Sequence, residues 1–488
     1  MYSYSEIIIF IETNASSFLI FLEIHTCLKK FYTNIKVYPV IEKNEIQKFF
    51  VKYHKKNNLV LYLLIVSFKT LKLNEENSKF FFSHTYNSYR FKYILTKVGL
   101  NHLISVDSPN NHVRTIDAST YFENKNSGFY RSIKNLKFCY VSVVDYENKV
   151  WVKSIIIWYL YLSNNFSINE CSSGLKKIHR IFEKISKMNK NLNENCKNKK
   201  IIFSKELPFH FLYHSSLIDS VLNTPSTIIN FQTWKNNGFI RILHFLGKIF
   251  VFKEDTRKLW IKFDEEKKKK ILKHFEIETK KLKSTLNVIY VFKKKFENFK
   301  NLIEISSLDI ALILRSVFDL KIKNSKRHKL KKNFWLGIKS LLEFKNLKIF
   351  IKKEKKVHKF ISRVCRIVLS KKTFISQKNV RILYLIGSKH ITYKMIEGFL
   401  EFLILIFNRN KIKQKLFSVI IKERNDSFLF VSHQNKKNFL FYHNYLLSQG
   451  FLTINKLIKI EKNLIVVKFS KIYEKDIISE LIRISKKE

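Results

Sequence analysis

The sequence predicts an α+β protein that is rich in helices, and three observations support this fold class. Apolar residues recur at helical spacing in several Lys-rich segments. Short apolar runs separated by polar turns, mainly in the first and last parts of the chain, are typical of strands. Hydrophobic residues make up 46% and aromatic residues 15% of the 488 residues, so the chain can bury the cores of two or three domains.

The charge of the chain is strongly unbalanced. It contains 91 Lys and Arg against 39 Asp and Glu, a formal net charge of +52. A folded protein with this excess repels itself unless a polyanion neutralises it. We therefore expect a nucleic-acid partner, with an anionic membrane surface as the competing explanation.

The composition also indicates an A/T-rich gene. Gly occurs 9 times and Pro 4 times, whereas Lys, Asn, Ile and Phe, which have A/T-rich codons, are abundant. An organelle-encoded protein is expected, with a plastid (chloroplast) favoured over a mitochondrion, and some A/T-rich nuclear genomes would give a similar composition.

Motifs for catalysis and metal binding are absent from the sequence. There is no CxxC pair, so neither a zinc ribbon nor a disulfide framework is expected from the five widely spaced cysteines: Cys27, Cys139, Cys171, Cys196 and Cys365. There is also no P-loop, HExxH or GxSxG motif. We expect no enzyme activity and no small-molecule substrate. No apolar run reaches the roughly 20 residues of a membrane span, so we also expect no membrane partner.

The first half of the chain contains one long apolar run, one strand–turn–helix unit and one linker. Leu59–Val66 predicts a buried strand or helix. The following unit is predicted as a strand over Phe138–Val144, a turn over Asp145–Lys149 and a helix over Val150–Leu162. Polar and basic residues 189–200 predict a linker.

The most informative stretch runs from Gly238 to Ser284. Strands are expected around Phe245–Gly247 and over Leu259–Phe263, and a basic helix is expected from Asp264 to about Phe299. The acids of this helix lie in its first turn and its lysines come later, which suits the helix dipole. One apolar stripe is predicted to be buried, formed by Ile271, Phe275, Leu282, Leu286 and Ile289. The remaining faces carry lysines with few acids, which predicts contacts with phosphates.

The rest of the chain predicts helices followed by a separate α+β module. Two helices are expected within Ile303–Phe344, around a basic joint at Lys321–Lys329, and a third over Lys352–Lys372. The module is predicted as a helix over Ile391–Asn408, the strand pairs Leu416–Ile421 with Phe428–Val431 and Leu457–Ile460 with Leu464–Phe469, a helix ending at Gly450 and a helix near Asp476.

Three segments in order resemble group II intron maturases. FLG at Phe245–Gly247, LWIKF at Leu259–Phe263 and the Lys-rich helix resemble the end of a reverse-transcriptase palm and its thumb. Phe263 stands where the family has a Pro. The maturase X domain is matched by Leu308, Ile313, Leu314, Arg315, Ser325 and Lys326, with Ser316 and Val317 in place of its Gly-Trp.

The resemblance implies an RNA-binding protein that assists splicing of group II or derived introns in an organelle. Phe138–Tyr146 occupies the place of the polymerase YADD motif, where paired aspartates hold two Mg²⁺ ions. Here Asp145 is followed by Tyr146, and Asp117 is the one weak candidate for a partner carboxylate. Asp145 is better explained as a turn residue. We therefore expect no reverse-transcriptase activity and no cofactor, with Mg²⁺ entering only through the bound RNA.

The residues expected to contact structured intron RNA are Lys267, Lys268, Lys269, Lys270, Lys273, Lys280, Lys281, Arg315, Lys326, Arg327, Lys329, Lys331, Arg363 and Arg366. The implied architecture is a degenerate reverse-transcriptase-like palm, a helical thumb, an X-like helical domain and a small C-terminal α+β module. Its regions are 1–188 (diverged fingers and palm-like), 189–200 (linker), 201–263 (end of the palm-like region), 264–302 (thumb-like helix), 303–385 (X-like) and 386–488 (RNA-binding module).

The C-terminal module resembles a second family. A strand, a helix ending in QGFL, a strand pair and LIRISKKE are similar to the first domain of the eighth small-subunit ribosomal protein. The resemblance implies an alternative function, an organellar small-subunit ribosomal protein with a long N-terminal extension. A generic small α+β fold explains the same pattern equally well.

Overall fold

The structure is a computed structural model, and its description covers much of the chain. The described residues are 6–13, 15–28, 35–40, 45, 61–67, 104–105, 113–117, 143–162, 168–190, 201–282, 286–298, 301–317, 328–342, 344–371, 374–376, 380–386, 391–409, 416–422, 426–432, 456–461, 464–470 and 473–486.

Strands and helices alternate irregularly along the described residues. The strands are β1 (Glu6–Glu12), β2 (Ile35–Val40), β3 (Leu61–Ser67), β4 (Ile104–Ser105), β5 (Val113–Asp117), β6 (Ile201–Glu206), β7 (Ile289–Asn298), β8 (Asn301–Ser306), β9 (Ile375–Ser376), β10 (Val380–Ile386), β11 (Leu416–Lys422), β12 (Asp426–Ser432), β13 (Lys456–Glu461) and β14 (Leu464–Ser470). The α-helices are α1 (Ala15–Leu28), α2 (Val143–Leu162), α3 (Ile168–Lys190), α4 (Leu217–Asn223), α5 (Pro225–Phe231), α6 (Gly238–Lys248), α7 (Lys253–Thr256), α8 (Glu265–Lys281), α9 (Ser307–Val317), α10 (His328–Leu342), α11 (Phe344–Lys371), α12 (Tyr393–Arg409) and α13 (Glu474–Lys486). The expected helix-rich α+β class is confirmed.

The chain forms two compact units, and it passes between them more than once. Unit 1 comprises Met1–Pro208, Val288–Phe318 and Lys326–Ile351. Unit 2 comprises Phe209–Asn287, Asp319–Ser325 and Lys352–Glu488.

Unit 1 is built on a mostly parallel sheet with the strand order β2-β1-β3-β5-β4. β1 pairs in parallel with β2 and β3, β3 pairs in parallel with β5, and β4 adds an antiparallel edge. Ile9, Phe10 and Ile11 of β1 are buried, as expected for a central strand of a covered parallel sheet. Of the two alternatives left open for Leu59–Val66, the structure has the strand.

Helix α2 forms much of the core of unit 1. It contacts α1, α3 and α9, and residues 149–158 are all buried, which is typical of a helix inside a protein. The predicted turn over Asp145–Lys149 is wrong, because the helix already begins at Val143. Val143 and Val144 are therefore not at the end of a strand, and the rest of that predicted strand lies outside the described residues. The predicted linker begins two residues too early, because Asn189 and Lys190 still belong to α3.

A second sheet of unit 1 is antiparallel, with the order β6-β7-β8. Lys293 of the central strand lies 3.1 Å from Glu206 of β6 and 3.6 Å from Glu304 of β8. The prediction of a helix to about Phe299 is wrong here, because Ile289–Asn298 is a strand. The following helix pair is confirmed as α9 and α10.

The C-terminal part of unit 2 is a sheet with the order β13-β14-β12-β11-β10-β9. Both predicted strand pairs are confirmed as antiparallel neighbours, β11 with β12 and β13 with β14. α11 and α12 supply most of the apolar core of this part, including Val357, Ile361, Phe399 and Leu403. The predicted helix ending at Gly450 lies outside the described residues.

The remainder of unit 2 is helical, and it corrects three predictions. Phe245–Gly247 belongs to α6 rather than to a strand, and Trp260–Lys262 is a 3₁₀ helix. Phe245–Gly247 is helical because the buried residues around it recur at the spacing of a helix. These residues are Ile242, Phe245, Leu246 and Ile249. The basic helix ends at Lys281, and Leu282 is 51% exposed rather than part of a buried stripe.

Candidate nucleic-acid interface

The basic helix α8 begins where the sequence predicts. The Asp264 carboxylate accepts a hydrogen bond from the Lys267 backbone N–H at 2.6 Å, which caps the helix. Ile271 and Phe275 are fully buried. Phe275 contacts Phe209 and Phe245 edge-on, with ring centroids 5.8 and 5.6 Å apart. These contacts fix which face of α8 is left to solvent.

Four of the predicted contact residues on α8 are exposed and have no ion pair with another described residue. They are Lys269, Lys270, Lys273 and Lys280. Lys269, Lys273 and Lys280 are spaced by four and seven residues, so they share one face of the helix. The Lys270 ammonium lies 4.2 Å from the centre of the Phe250 ring, a cation–π contact. No carboxylate of the described residues pairs with any of the four.

Three other predicted residues of α8 instead make ion pairs within unit 2. Lys268 Nζ lies 2.8 Å from Glu265 and Lys281 Nζ lies 2.6 Å from Glu278. Lys267 Nζ lies 2.9 Å from Asp255, whose side chain is 5% exposed. These lysines are partly neutralised before any partner binds.

Asp255 forms ion pairs with two lysines, Lys267 and Lys258. Its carboxylate also accepts a hydrogen bond from Lys258 at 3.0 Å and one from the Phe252 backbone N–H at 3.3 Å. Burial raises the pKa of Asp255, but the hydrogen bonds from Lys267, Lys258 and Phe252 outweigh it and hold the pKa below its usual value. Lys267 therefore stabilises the fold.

A second exposed basic stripe runs along α11. Lys352, Lys356, Lys359 and Arg363 recur at intervals of three and four residues, and all four are exposed. From Lys352 to Arg363 the stripe is about 16 Å long at the helical rise of 1.5 Å per residue. Within the part of the chain that the structure describes, no acid pairs with these four side chains. Only Arg363 is among the predicted contacts; the other three could have been found from their spacing.

Two predicted arginines hold backbone carbonyls instead. Arg315 donates to the Leu162 carbonyl at 3.1 Å within unit 1, and Arg366 donates to the Leu222 carbonyl at 3.5 Å within unit 2. Leu222 lies in the last turn of α4, where a cation also complements the helix dipole. Burial lowers the pKa of Arg366.

The remaining predicted contacts lie in or beside α10. Lys331 Nζ is 2.8 Å from the Glu45 carboxylate. Lys329 lies in the first turn of the helix. Lys326 and Arg327 lie outside the described residues. The exposed basic residues of α8 and α11 in unit 2 are therefore the best-supported candidates.

Unit 2 also holds a group of three buried or half-buried histidines, of which His358 belongs to α11 and His210 and His214 lie beside it. His358 Nε2 lies 3.4 Å from Glu354 Oε1, and the His210 ring is centred 4.9 Å from the His358 ring. Lys355 Nζ donates to the His214 carbonyl oxygen at 2.7 Å. Burial, with a smaller contribution from the Lys355 charge, lowers the pKa of His214 to about 4.

The described residues contain no arrangement typical of a metal or polymerase site. Asp117 ends β5 and Asp145 lies in the first turn of α2, so Asp145 is not in a strand–turn. No three His, Cys, Asp or Glu side chains of the described residues are grouped to hold a metal ion. Among the described helices, none combines the length and the apolar character needed to cross a membrane.

Comparison with known proteins gives a match in fold and none in sequence. No protein family matches the chain, and no curated protein matches it. The crystal structure of CDC45 from Entamoeba histolytica is similar, with a TM-score of 0.66 and 12% identity over 99% of this chain and 95% of that chain. The chain shares this fold.

A second solved structure, of an uncharacterised protein from Helicobacter pylori, covers 99% of this chain and 100% of its own. Its TM-score is 0.21 at 9% identity, which is too low to support an argument.

Proposed function

We propose that the protein is a replication factor that binds nucleic acid and catalyses no reaction of its own. The observation that carries this proposal is the similarity in fold to CDC45, a replication factor. Many common folds occur in proteins of unrelated function, so a shared fold alone does not establish a shared function. This similarity extends over nearly the whole length of both chains, which is a stronger basis than one shared domain.

The exposed lysines and arginine of unit 2 support the nucleic-acid part of the proposal. Lys269, Lys273 and Lys280 share one face of α8, and Lys352, Lys356, Lys359 and Arg363 form a stripe along α11. Such stripes neutralise phosphates and release counterions, which makes binding dependent on salt. Contacts of this kind position a nucleic acid and carry little information about its bases.

A maturase-like splicing factor is the second hypothesis. It is favoured by the order of the FLG, LWIKF and X-like segments and by the net charge of +52. The capped basic helix α8 is compatible with the thumb assignment, and the helix pair α9 and α10 is compatible with the X-like assignment. The helical state of Phe245–Gly247 weighs against the palm assignment.

Crosslinking of the protein to nucleic acid in its own cells, followed by sequencing, separates these hypotheses. The replication proposal predicts that genomic or organellar DNA is recovered. Recovery of intron RNA would favour the maturase hypothesis, and recovery of small-subunit rRNA the ribosomal alternative. A variant with Lys269, Lys273 and Lys280 changed to Gln is expected to reduce crosslinking of whichever nucleic acid is bound.

The plastid location remains a separate prediction from the A/T-rich composition. Fractionation of organelles and immunodetection of the protein test it. Enrichment in the plastid fraction is expected, and enrichment in nuclei or mitochondria would contradict it.

A further inference from the structure

Helix α6 exposes an apolar stripe on the surface of unit 2. Ile240 is 62% exposed, Phe239 is 47% exposed and Leu243 is 42% exposed. The opposite side of the same helix is buried through Ile242 and Phe245. At about 100° per residue, the three exposed side chains lie within one quarter to one third of the helix circumference, so they form a continuous stripe.

Gly247 extends this stripe by one turn without a side chain. A Cβ placed on Gly247 would have no atom within 4 Å. The surface beside Leu243 is therefore open, and another helix can approach the α6 backbone closely there.

Basic side chains border the apolar stripe along one side. Arg241, His244 and Lys248 recur at i, i+3 and i+7 and are all exposed. α6 itself contains no acid. Lys248 Nζ lies 4.0 Å from the Glu278 carboxylate of α8, which is a loose ion pair. A partner that covers the apolar stripe thus meets positive charge along one edge.

We propose that α6 docks an acidic amphipathic helix of a partner protein. Apolar anchors of that helix would cover Phe239, Ile240 and Leu243, and its Asp or Glu residues would face Arg241 and Lys248. This is the helix-to-surface mode of recognition, in which anchors recur at i, i+3, i+4 and i+7. Charge complementarity along one edge would set the orientation of the bound helix.

Other occupants fit this surface less well. In a symmetric dimer of this chain the basic edges would contribute like charges to the same interface. A membrane would be contacted by three side chains of a helix whose other face is buried, whereas interfacial helices insert a long apolar face. Nucleic acid stacks on aromatic rings, and Ile240 and Leu243 have none.

A displayed library of helical peptides tests the proposal with the full chain. All members share apolar residues at i, i+3, i+4 and i+7, and the flanking positions carry Glu, Ser or Lys in equal numbers. We expect selection to enrich Glu-flanked peptides at least about tenfold over Lys-flanked ones. Changing Arg241 and Lys248 together to Glu is expected to reverse that preference.

Two exposed positions provide the matched variants. Leu243→Asp should abolish enrichment, whereas Ile277→Asp, at a 39% exposed site on α8, should leave it unchanged. Far-ultraviolet circular dichroism and the unfolding midpoint show that both variants fold. Enrichment that is absent, that ignores flanking charge or that survives Leu243→Asp would overturn the proposal. Self-association or binding to anionic vesicles that is lost in Leu243→Asp would also overturn it.

Discussion

Lys267 Nζ lies 2.9 Å from Asp255 Oδ2, so a residue predicted to contact RNA is part of an internal ion pair. Lys258 reaches the other oxygen of the same carboxylate at 3.0 Å. The nearly buried Asp255 thereby holds α7 and α8 together through charge. This arrangement divides the lysines of α8 into those that stabilise unit 2 and those that are available to a partner.

Replacing Asp255 by Asn is expected to destabilise the protein. Two lysines and the Phe252 N–H would lose a charged acceptor, and loss of a partly buried charged hydrogen-bond group costs about 1–3 kcal/mol. Urea unfolding at pH 7 measures the change. Glu254→Gln, at an exposed neighbouring position, is the control and should have no measurable effect.

The same carboxylate predicts a loss of stability in acid. Its pKa in the folded state lies below the usual value for aspartate, so its stabilising charge is fully present above the unfolded-state pKa of about 3.9. The contribution is lost as pH falls from there through the folded-state pKa. Unfolding curves at a series of pH values should diverge between the native protein and Asp255→Asn above about pH 4 and converge in stronger acid.

Replacing Lys269, Lys273 and Lys280 by Gln is expected to flatten the salt dependence of nucleic-acid binding. Each lost phosphate contact reduces the magnitude of the slope of log K against log salt by about 0.7–0.9, so the triple variant should lose about 2–3. Filter binding or fluorescence anisotropy at several salt concentrations gives the slope. Lys268→Gln is the control, because Lys268 is paired with Glu265 at 2.8 Å. An unchanged slope in the triple variant would remove this face of α8 from the interface.

Replacing each of two glycines of α6 by Ala should change the stability of the protein in opposite directions. A Cβ on Gly238 would lie 2.6 Å from both the Gln232 carbonyl oxygen and Thr233 Cα, so the backbone must shift and the protein should be destabilised. Gly247 has open space around it, and Ala there should stabilise the helix by up to about 1 kcal/mol. Thermal unfolding of both variants checks the pair. Equal effects of the two substitutions would contradict the close approach at Gly238.

His214 should also make the stability of the protein depend on pH, in a less acidic range than Asp255 does. Its folded-state pKa is about 4, whereas an unfolded histidine titrates near about 6.5. The unfolded state therefore binds the additional proton between these values, and stability should fall as pH drops from about 6.5 to about 4. In His214→Gln this part of the pH dependence should disappear. A parallel pH profile in the variant would show that His214 does not cause it.

Elements with clear periodicity could be predicted from the sequence. The stripe of Val357, Ile361 and Val368 predicts α11, and the two short apolar runs separated by polar residues predict the antiparallel pair β11 and β12. A strand is predicted around Phe245–Gly247 because Phe245 and Leu246 look like part of a short apolar run when their helical spacing to Ile242 and Ile249 is left out. The predicted helix begins too late because the polar residues Asp145–Asn148 look like a turn, although they belong to the first two turns of α2.

The candidate site was predictable only in part. The abundance of lysine in α8 is plain in the sequence, but the pairing of Lys267 depends on Asp255, which precedes it by twelve residues and meets it only in the folded chain. Arg366 could not be recognised as structural, since its acceptor, the Leu222 carbonyl, is 144 residues away. The parallel order of β2, β1, β3 and β5 and the similarity to CDC45 likewise depend on three-dimensional arrangement.

Depletion of the protein in its own cells tests the proposed replication role most directly. DNA synthesis would be followed by incorporation of a thymidine analogue, and intron-containing transcripts would be measured in the same samples. Incorporation is expected to fall first, while splicing continues until later, and re-expression of the native protein is expected to restore incorporation. Accumulation of unspliced transcripts with undiminished DNA synthesis would contradict the proposed replication role.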